Sequence, residues 1–246
     1  VPQNWPLIAG AAVAAVVGFV LFVRRQRRMS EPLLEFSIFR NKAFTGGVLA
    51  AAFAMFTIAG AQLITTQRFQ LVEGFSPLQA GLLVAAIALG ALPSGLLGAA
   101  FLDTLGLRLI ISGGLGVGAL GLLLSITAVA TDTFALLVAG FVVTGLGLGG
   151  AFSVASSAIM GNAHPRKAGM AASVEEVSYE MGSLSAVAVL GSLLTFVYAF
   201  TVQLPNGSPD AARESLADAL AVADGNSEVI AAANTAFDTA YLVTMI

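Results

Sequence analysis

The stretch AGMAASVEEVSYEMGSLSAVAVLGSLLTFVYAF, residues 168–200, decides the fold. It is apolar or small almost throughout and long enough to cross about 30 Å of hydrocarbon as a helix. Yet Glu175, Glu176 and Glu180 lie inside it. An ionisable side chain near the middle of a membrane helix costs roughly 2.5–3.5 kcal/mol on insertion scales. Three on one helix need a reason, and two readings stand. Either the acids form a proton-coupling and cation-binding site in a transporter, or they lie at the cytoplasmic membrane surface and cap a long helix.

Outside this stretch the chain has the same character. It is 57% hydrophobic and only 10% charged, with a mean hydropathy of +0.91, where a soluble domain carries about 25% charged residues. That composition predicts an all-α, multi-pass membrane protein with the lipid bilayer as its solvent. With no cysteine and one histidine, disulfides, thiol catalysis and Cys- or His-based metal clusters are excluded. No cofactor, metal or nucleic-acid partner is expected. A membrane enzyme would need a nucleophile–base or metal constellation that these residues do not offer. Val1 is not an initiator, no signal-peptide pattern is present, and the last apolar run is still going at Ile246. The expectation is therefore the C-terminal half of a larger membrane protein.

Seven segments are expected. Six lie within residues 1–201, at about 6–23, 43–66, 77–101, 109–129 and 133–160, followed by the opening stretch. A polar stretch, 202–230, separates them from a seventh segment that starts at 231 and is cut short by 246. Asn4 and Pro6 can begin the first segment, Trp5 can anchor it at the interface, and the basic cluster RRQRR (24–28) ends it. In GFSPLQAGL (74–82), Ser76, Pro77 and Gln79 make a capping-box start. Pro93 should kink the segment that follows. Gly114 with Gly118, and Gly145 with Gly149 in GLGLGG (145–150), have the four-residue spacing that brings membrane helices close. In 202–230, Pro205-Asn206-Gly207 is a turn. A helix from Ser208 and Pro209 would then align Asp210, Glu214 and Asp218 before Asp224-Gly225 breaks it, giving an extracellular helical hairpin read as a solvated cap.

Charge sets the direction. If RRQRR is cytoplasmic, the segments alternate so that Arg24, Arg25, Arg27, Arg28, Arg40, Lys42, Arg108, Arg166 and Lys167 all lie inside. Only Arg68 and Arg213 remain outside, together with Glu73, Asp132, Asp210, Glu214, Asp218, Asp224, Glu228 and Asp238. This positive-inside bias puts the N-terminus outside.

Several blocks occur in order: PLLEFSIFRNKAF (32–44), GFSPLQAGL, LDTLGLR (102–108), GLGLGGAF (145–152) and HPRKAGMAASVEEVSYEMG (164–182). Together they resemble the C-terminal half of the fourteen-helix drug:proton antiporters of the major facilitator superfamily. The acidic helix is similar to that of the QacA-like and LfrA-like multidrug exporters, which carry a Glu pair and another acid four residues on. The resemblance implies a proton-coupled exporter of lipophilic, cationic drugs in the bacterial cytoplasmic membrane, conferring antibiotic resistance. Its energy source would be the proton gradient, and Glu175, Glu176 and Glu180 would be its proton-coupling and cation-binding residues. The substrate site would lie between this half and a missing N-terminal half. The loop with Asp103, Gly106 and Arg108 looks like a weakened copy of the superfamily's cytoplasmic gating motif. Ala99, Thr104 and Leu107 depart from the pattern, and a plain capping or pairing role for Asp103 stands beside the gating one.

Helical geometry puts Ser173, Glu176, Glu180 and Ser183 along one face, with Glu175 and Tyr179 on a neighbouring strip. Counted from Lys167, Glu176 lies about 13 Å and Glu180 about 19 Å along the axis. A buried carboxyl beside another carboxylate can hold a proton and release it when a cation arrives. Phe53, Met55, Phe56, Phe152, Met160 and Tyr179 are candidates for an adaptable apolar wall, with lipid-facing or packing roles as the plain alternative. Gln62 would prefer an interior face. His164, in a basic turn before Pro165, needs no chemical role. Rival readings are a transporter of another small solute (a siderophore, metabolite or nutrient) and a seven-helix receptor.

Overall fold

The computed structural model describes residues 5–26, 28–29, 35–205, 207–223 and 225–245, and of Ala99 only the backbone. Asn4, Arg27, Pro32, Asn206 and Asp224, all weighed above, lie outside the described residues. The chain divides into two compact units, residues 1–42 and 43–246. The first holds helix α1 (Trp5–Gln26) and a 3-10 turn, Phe36–Arg40. Every residue of α1 from Trp5 to Phe22 is exposed, so this apolar helix has no packing face of its own within the unit.

The second unit is a helical bundle. It contains α2 (Lys42–Leu71), α3 (Pro77–Ala130), α4 (Phe134–Gly161), α5 (Ala168–Thr201), α6 (Leu216–Val222) and α7 (Ser227–Met245). Six stretches among the described residues are long and apolar enough to cross a membrane: α1, α2, the two halves of α3, α4 and α5 with its preceding turn. The helix α7, with Glu228 and Asp238 in its 19 residues, is not among them.

At the start of α3, the Ser76 hydroxyl accepts from the Gln79 backbone N–H while the Gln79 side chain accepts from the Ser76 N–H, the reciprocal capping expected from the sequence. The link expected at 102–108 is not a loop. Helix continues on both sides, and the break is confined to Gly106, with φ 77° and ψ 157°. That backbone conformation is essentially open only to glycine, so one residue redirects the chain where a polar loop was expected. Pro93, expected to kink the first half, sits inside continuous helix.

The two halves of α3 clasp α4 through glycine. A Cβ at Gly145 would land on the Ile87 carbonyl, and one at Gly149 on the Ala91 carbonyl. On the other side, Gly147 lies against Gly114 and Gly118, and Gly140 against Gly121 and Ser125. Residue numbers rise together along the first contact and oppositely along the second. The first half of α3 therefore runs parallel to α4 and the second half antiparallel, as alternating spans require. In lipid no hydrophobic force draws helices together, so close backbone approach and its van der Waals gain carry the association. Likewise α5 runs parallel to α2, with Gly182 against the Ala52 carbonyl and Gly60 against Leu190 and Ala186.

The main buried cluster lies at one end of the unit. It joins Ile64 and Phe69 of α2, Leu137 and Phe141 of α4, Leu194 and Tyr198 of α5 and Phe237 and Tyr241 of α7. The polar stretch after α5 belongs to it. Ala212, Leu216 and Ala219 are buried there, and the Tyr198 hydroxyl donates to the Ala212 carbonyl at 2.9 Å. The single helix expected from Ser208 and Pro209 up to the Asp224-Gly225 break is instead a 3-10 turn, Asp210–Arg213, followed by α6. Ser215 divides them by turning extended and capping α6: its hydroxyl accepts from the Asp218 N–H. Asp210, Glu214 and Asp218 consequently share no helical stripe.

Candidate functional site

Helix α5 is built on one packing stripe: Ala171, Val174, Ser178, Gly182, Ala186, Leu194 and Tyr198 are buried. These positions recur every three to four residues and fix which way the acids point. Glu176 and Glu180 fall on the opposite side of the helix and are exposed, with half-buried Ser183 near them. The end of α5 that carries them begins after a short turn, Pro165–Lys167, capped by His164, whose Nδ1 accepts from the Arg166 N–H at 3.2 Å. His164 therefore has a local structural task.

Glu175 lies at the edge of the packing stripe and is half-buried. The Tyr179 hydroxyl, one turn on, donates to its Oε1. The Tyr179 ring stacks on Phe152 of α4, with centroids 4.5 Å apart and planes 19° from parallel. Two of the residues proposed to line a substrate path thus hold each other, and through them α4 fixes the rotamer of Glu175. The three acids differ: one is tethered to a phenol, and two lie on an open face with no hydrogen bond or ion pair among the described residues.

The remaining wall candidates are spread over two helices. On α2, Phe53 is exposed at 62%, Met55 and Phe56 are half-buried, and Gln62 is exposed rather than interior. Met160 near the end of α4 is exposed. Ala52, next to Phe53, touches Gly182 of α5, which brings the α2 aromatic pair to the same level as the acidic turns. Asp103 and Arg108 are exposed and make no ion pair among the described residues, while Gly106 between them is the break in α3.

A second charged cluster was not anticipated. Arg68, near the end of α2, is only 7% exposed. Its Nε donates to Asp238 of α7 at 2.8 Å and one terminal nitrogen to Glu73 at 3.1 Å. The guanidinium also lies over the rings of Phe69 and Tyr241, 5.1 and 5.7 Å from their centroids. A cavity of about 210 Å³ opens beside it, lined by Arg68, Glu73, Asp132 and Phe134 among others. The sequence did hold a signal for this. Asp238 sits in an apolar run and needs a cation, and Arg68 ends an apolar helix far from any other basic residue.

The family model described as Major Facilitator Superfamily matches residues 3–186. The chain belongs to the major facilitator superfamily. Several curated proteins it is similar to carry efflux or resistance names. The chain is 33% identical to "Multidrug efflux pump LfrA" of Mycolicibacterium smegmatis, over 98% of its own length and 50% of the relative's. It is 30% identical to "Methyl viologen resistance protein SmvA" of Salmonella typhimurium, over 83% of its length and 40% of the relative's. It is also 30% identical to "Quinolone resistance protein NorB" of Staphylococcus aureus, over 74% and 40% respectively. The chain thus spans about half the length, or less, of these relatives. With six stretches of membrane-crossing length and apolarity among the described residues, it is a multi-pass membrane chain of that superfamily.

Proposed function

We propose that this chain forms one half of a proton-coupled exporter of lipophilic cations, and that Glu176 and Glu180 are the groups at which proton and cation exchange. One observation carries the reading: both carboxylates lie on the face of α5 turned away from its packing stripe. In hydrocarbon that arrangement would cost several kcal/mol. The face therefore needs a polar counterpart, and a water-filled cavity shared with a further set of spans supplies one. The relatives' length is in keeping with such a second half.

Exchange follows from charge. Facing a cavity, the carboxylates can take a proton from one side of the membrane, and an organic cation arriving from the other side competes for the same oxygens. Alternating access then carries the two in opposite directions. Glu175, held by Tyr179, acts as a fixed neighbouring acid that sets the local potential. Methyl viologen, the compound in one relative's name, is itself a flat dication and suits such a face. The exposed ring of Phe53 and the thioether of Met55 provide apolar contact nearby. We further propose that the N-terminus lies outside and the Arg166 end of α5 lies in the cytoplasm of a bacterial cell, from the distribution of basic residues.

The test is efflux of a cationic dye from cells carrying the intact gene, with the proton gradient present or collapsed. Export that stops on collapse, and is lost in Glu176→Gln and Glu180→Gln while the protein stays in the membrane, is the expected result. Gradient-driven export of the dye by the doubly substituted protein would overturn it. Efflux of only neutral or anionic solutes would favour a transporter of another substrate class.

A further inference from the structure

The cavity beside Arg68 has no part in the exchange at Glu176 and Glu180. Its lining comes largely from the segments between helices. Glu73 and Phe75 follow α2, Asp132 and Thr133 join the end of α3 to α4, and Phe134 opens α4. Arg68, more than nine-tenths buried, lines it as well. Arg68 engages Asp238 through Nε and Glu73 through one terminal nitrogen. Its other terminal nitrogen has no acceptor among the described residues. Asp132 is left over: its side chain makes no hydrogen bond or ion pair among the described residues. Three carboxylates thus stand against one guanidinium. The rings form a connected set, with Phe75 5.1 Å from Phe69 and 6.4 Å from Phe134 between centroids. This set already holds one cation, because the Arg68 guanidinium lies 5.1 Å from the Phe69 centroid. Phe75 and Phe134 carry none among the described residues.

We propose that this cavity is a binding site for a compact organic ammonium that also carries an oxygen acceptor, a solute of the choline kind. The ammonium end is drawn to the Asp132 and Glu73 carboxylates and to the faces of Phe75 and Phe134, whose quadrupoles attract a cation. The oxygen accepts from the Arg68 nitrogen that no protein group satisfies. A neutral solute would leave Asp132 without a counter-charge, and an anion would meet three carboxylates. Size narrows the class further. At about 210 Å³ the cavity is smaller than the roughly 300–1,000 Å³ of sites for drug-sized ligands. The ligand is therefore not one of the lipophilic cations assigned to the acidic face of α5. The site stands on its own lining and does not rest on the transport reading.

The experiment is binding of radiolabelled choline to the intact protein, purified in detergent and read by scintillation proximity. Two unlabelled competitors separate the contributions. Tetramethylammonium keeps the charge and lacks the oxygen, whereas dimethylbutanol, the uncharged carbon isostere of choline, keeps the oxygen and lacks the charge. The expected result is saturable choline binding, displaced several-fold less well by tetramethylammonium than by choline and not at all by the alcohol. Asp132→Asn should weaken binding several-fold without disturbing the turn, since asparagine also tolerates the positive φ of 50° found there. Phe134→Leu should weaken it as well. The Glu176→Gln, Glu180→Gln protein should still bind choline, which separates this site from the face of α5. Absence of saturable binding by the unsubstituted protein, a reading that requires no variant to fold, would overturn the proposal. So would displacement by the alcohol as effective as by choline, or binding unchanged in Asp132→Asn.

Discussion

At the scale of single residues, the acidic triplet divides by environment. Glu175 is sheltered by Tyr179, whereas Glu176 and Glu180 are open. A lipophilic carbodiimide should therefore label Glu176 and Glu180 and spare Glu175, as read by peptide mass spectrometry. Tyr179→Phe keeps the stack on Phe152 but removes the donor, so in that variant Glu175 should become labelled as well. Equal labelling of all three in the unsubstituted protein would contradict the assigned environments. Arg68 makes a different kind of point. Its charge is desolvated and shared between two carboxylates that keep some access to water. Losing a partner of a fully buried pair costs about 3–5 kcal/mol, and an exposed pair about 0–1. Arg68→Met should fall between these, at about 1–3 kcal/mol, seen as a lower midpoint in a detergent melting experiment monitored by size-exclusion chromatography. An unchanged midpoint would show that the pairing contributes nothing.

Among the helices, the α3–α4 clasp depends on missing side chains. Gly145 and Gly149 leave no room for a Cβ, because Ile87 and Ala91 backbone atoms occupy the space. Gly116, on the same α3, faces open space. Gly145→Ala and Gly149→Ala should each destabilise the chain by about 1–3 kcal/mol through forced backbone separation. Gly116→Ala should be neutral or slightly favourable, from the better helix propensity of alanine. The comparison is again of melting midpoints, and equal effects at all three sites would argue against the packing described. These contacts were legible from the sequence because a four-residue glycine spacing inside apolar helices has one common physical meaning. The break in α3 was not legible. LDTLGLR reads as a polar connection, and nothing local says that Gly106 alone can turn the chain while its neighbours stay helical.

For the molecule as a whole, periodicity and charge encode six of the seven expected spans, the opposed directions of the two halves of α3 and the stripe of acids on α5, while α7 is not long and apolar enough to be the seventh. What could not be read depends on distant residues meeting. Asp238 and Arg68 lie 170 positions apart, and a tally of outer charges treats each as an ordinary surface group. The stretch after α5 reads as a solvated cap because it is polar on average. Its residues Ala212, Leu216 and Ala219 instead complete a core formed by α2, α3, α4, α5 and α7, and Tyr198 ties it down through Ala212. The result is a unit with its main buried cluster at the capped end and an exposed acidic face on α5 nearer the other. If that face is where proton and cation exchange, the intact transporter purified in weakly buffered detergent should release protons when tetraphenylphosphonium is added. The release should disappear in the Glu176→Gln, Glu180→Gln protein. Binding of the cation with no proton release by the unsubstituted transporter, or equal release by the doubly substituted one, would contradict the assignment of this face.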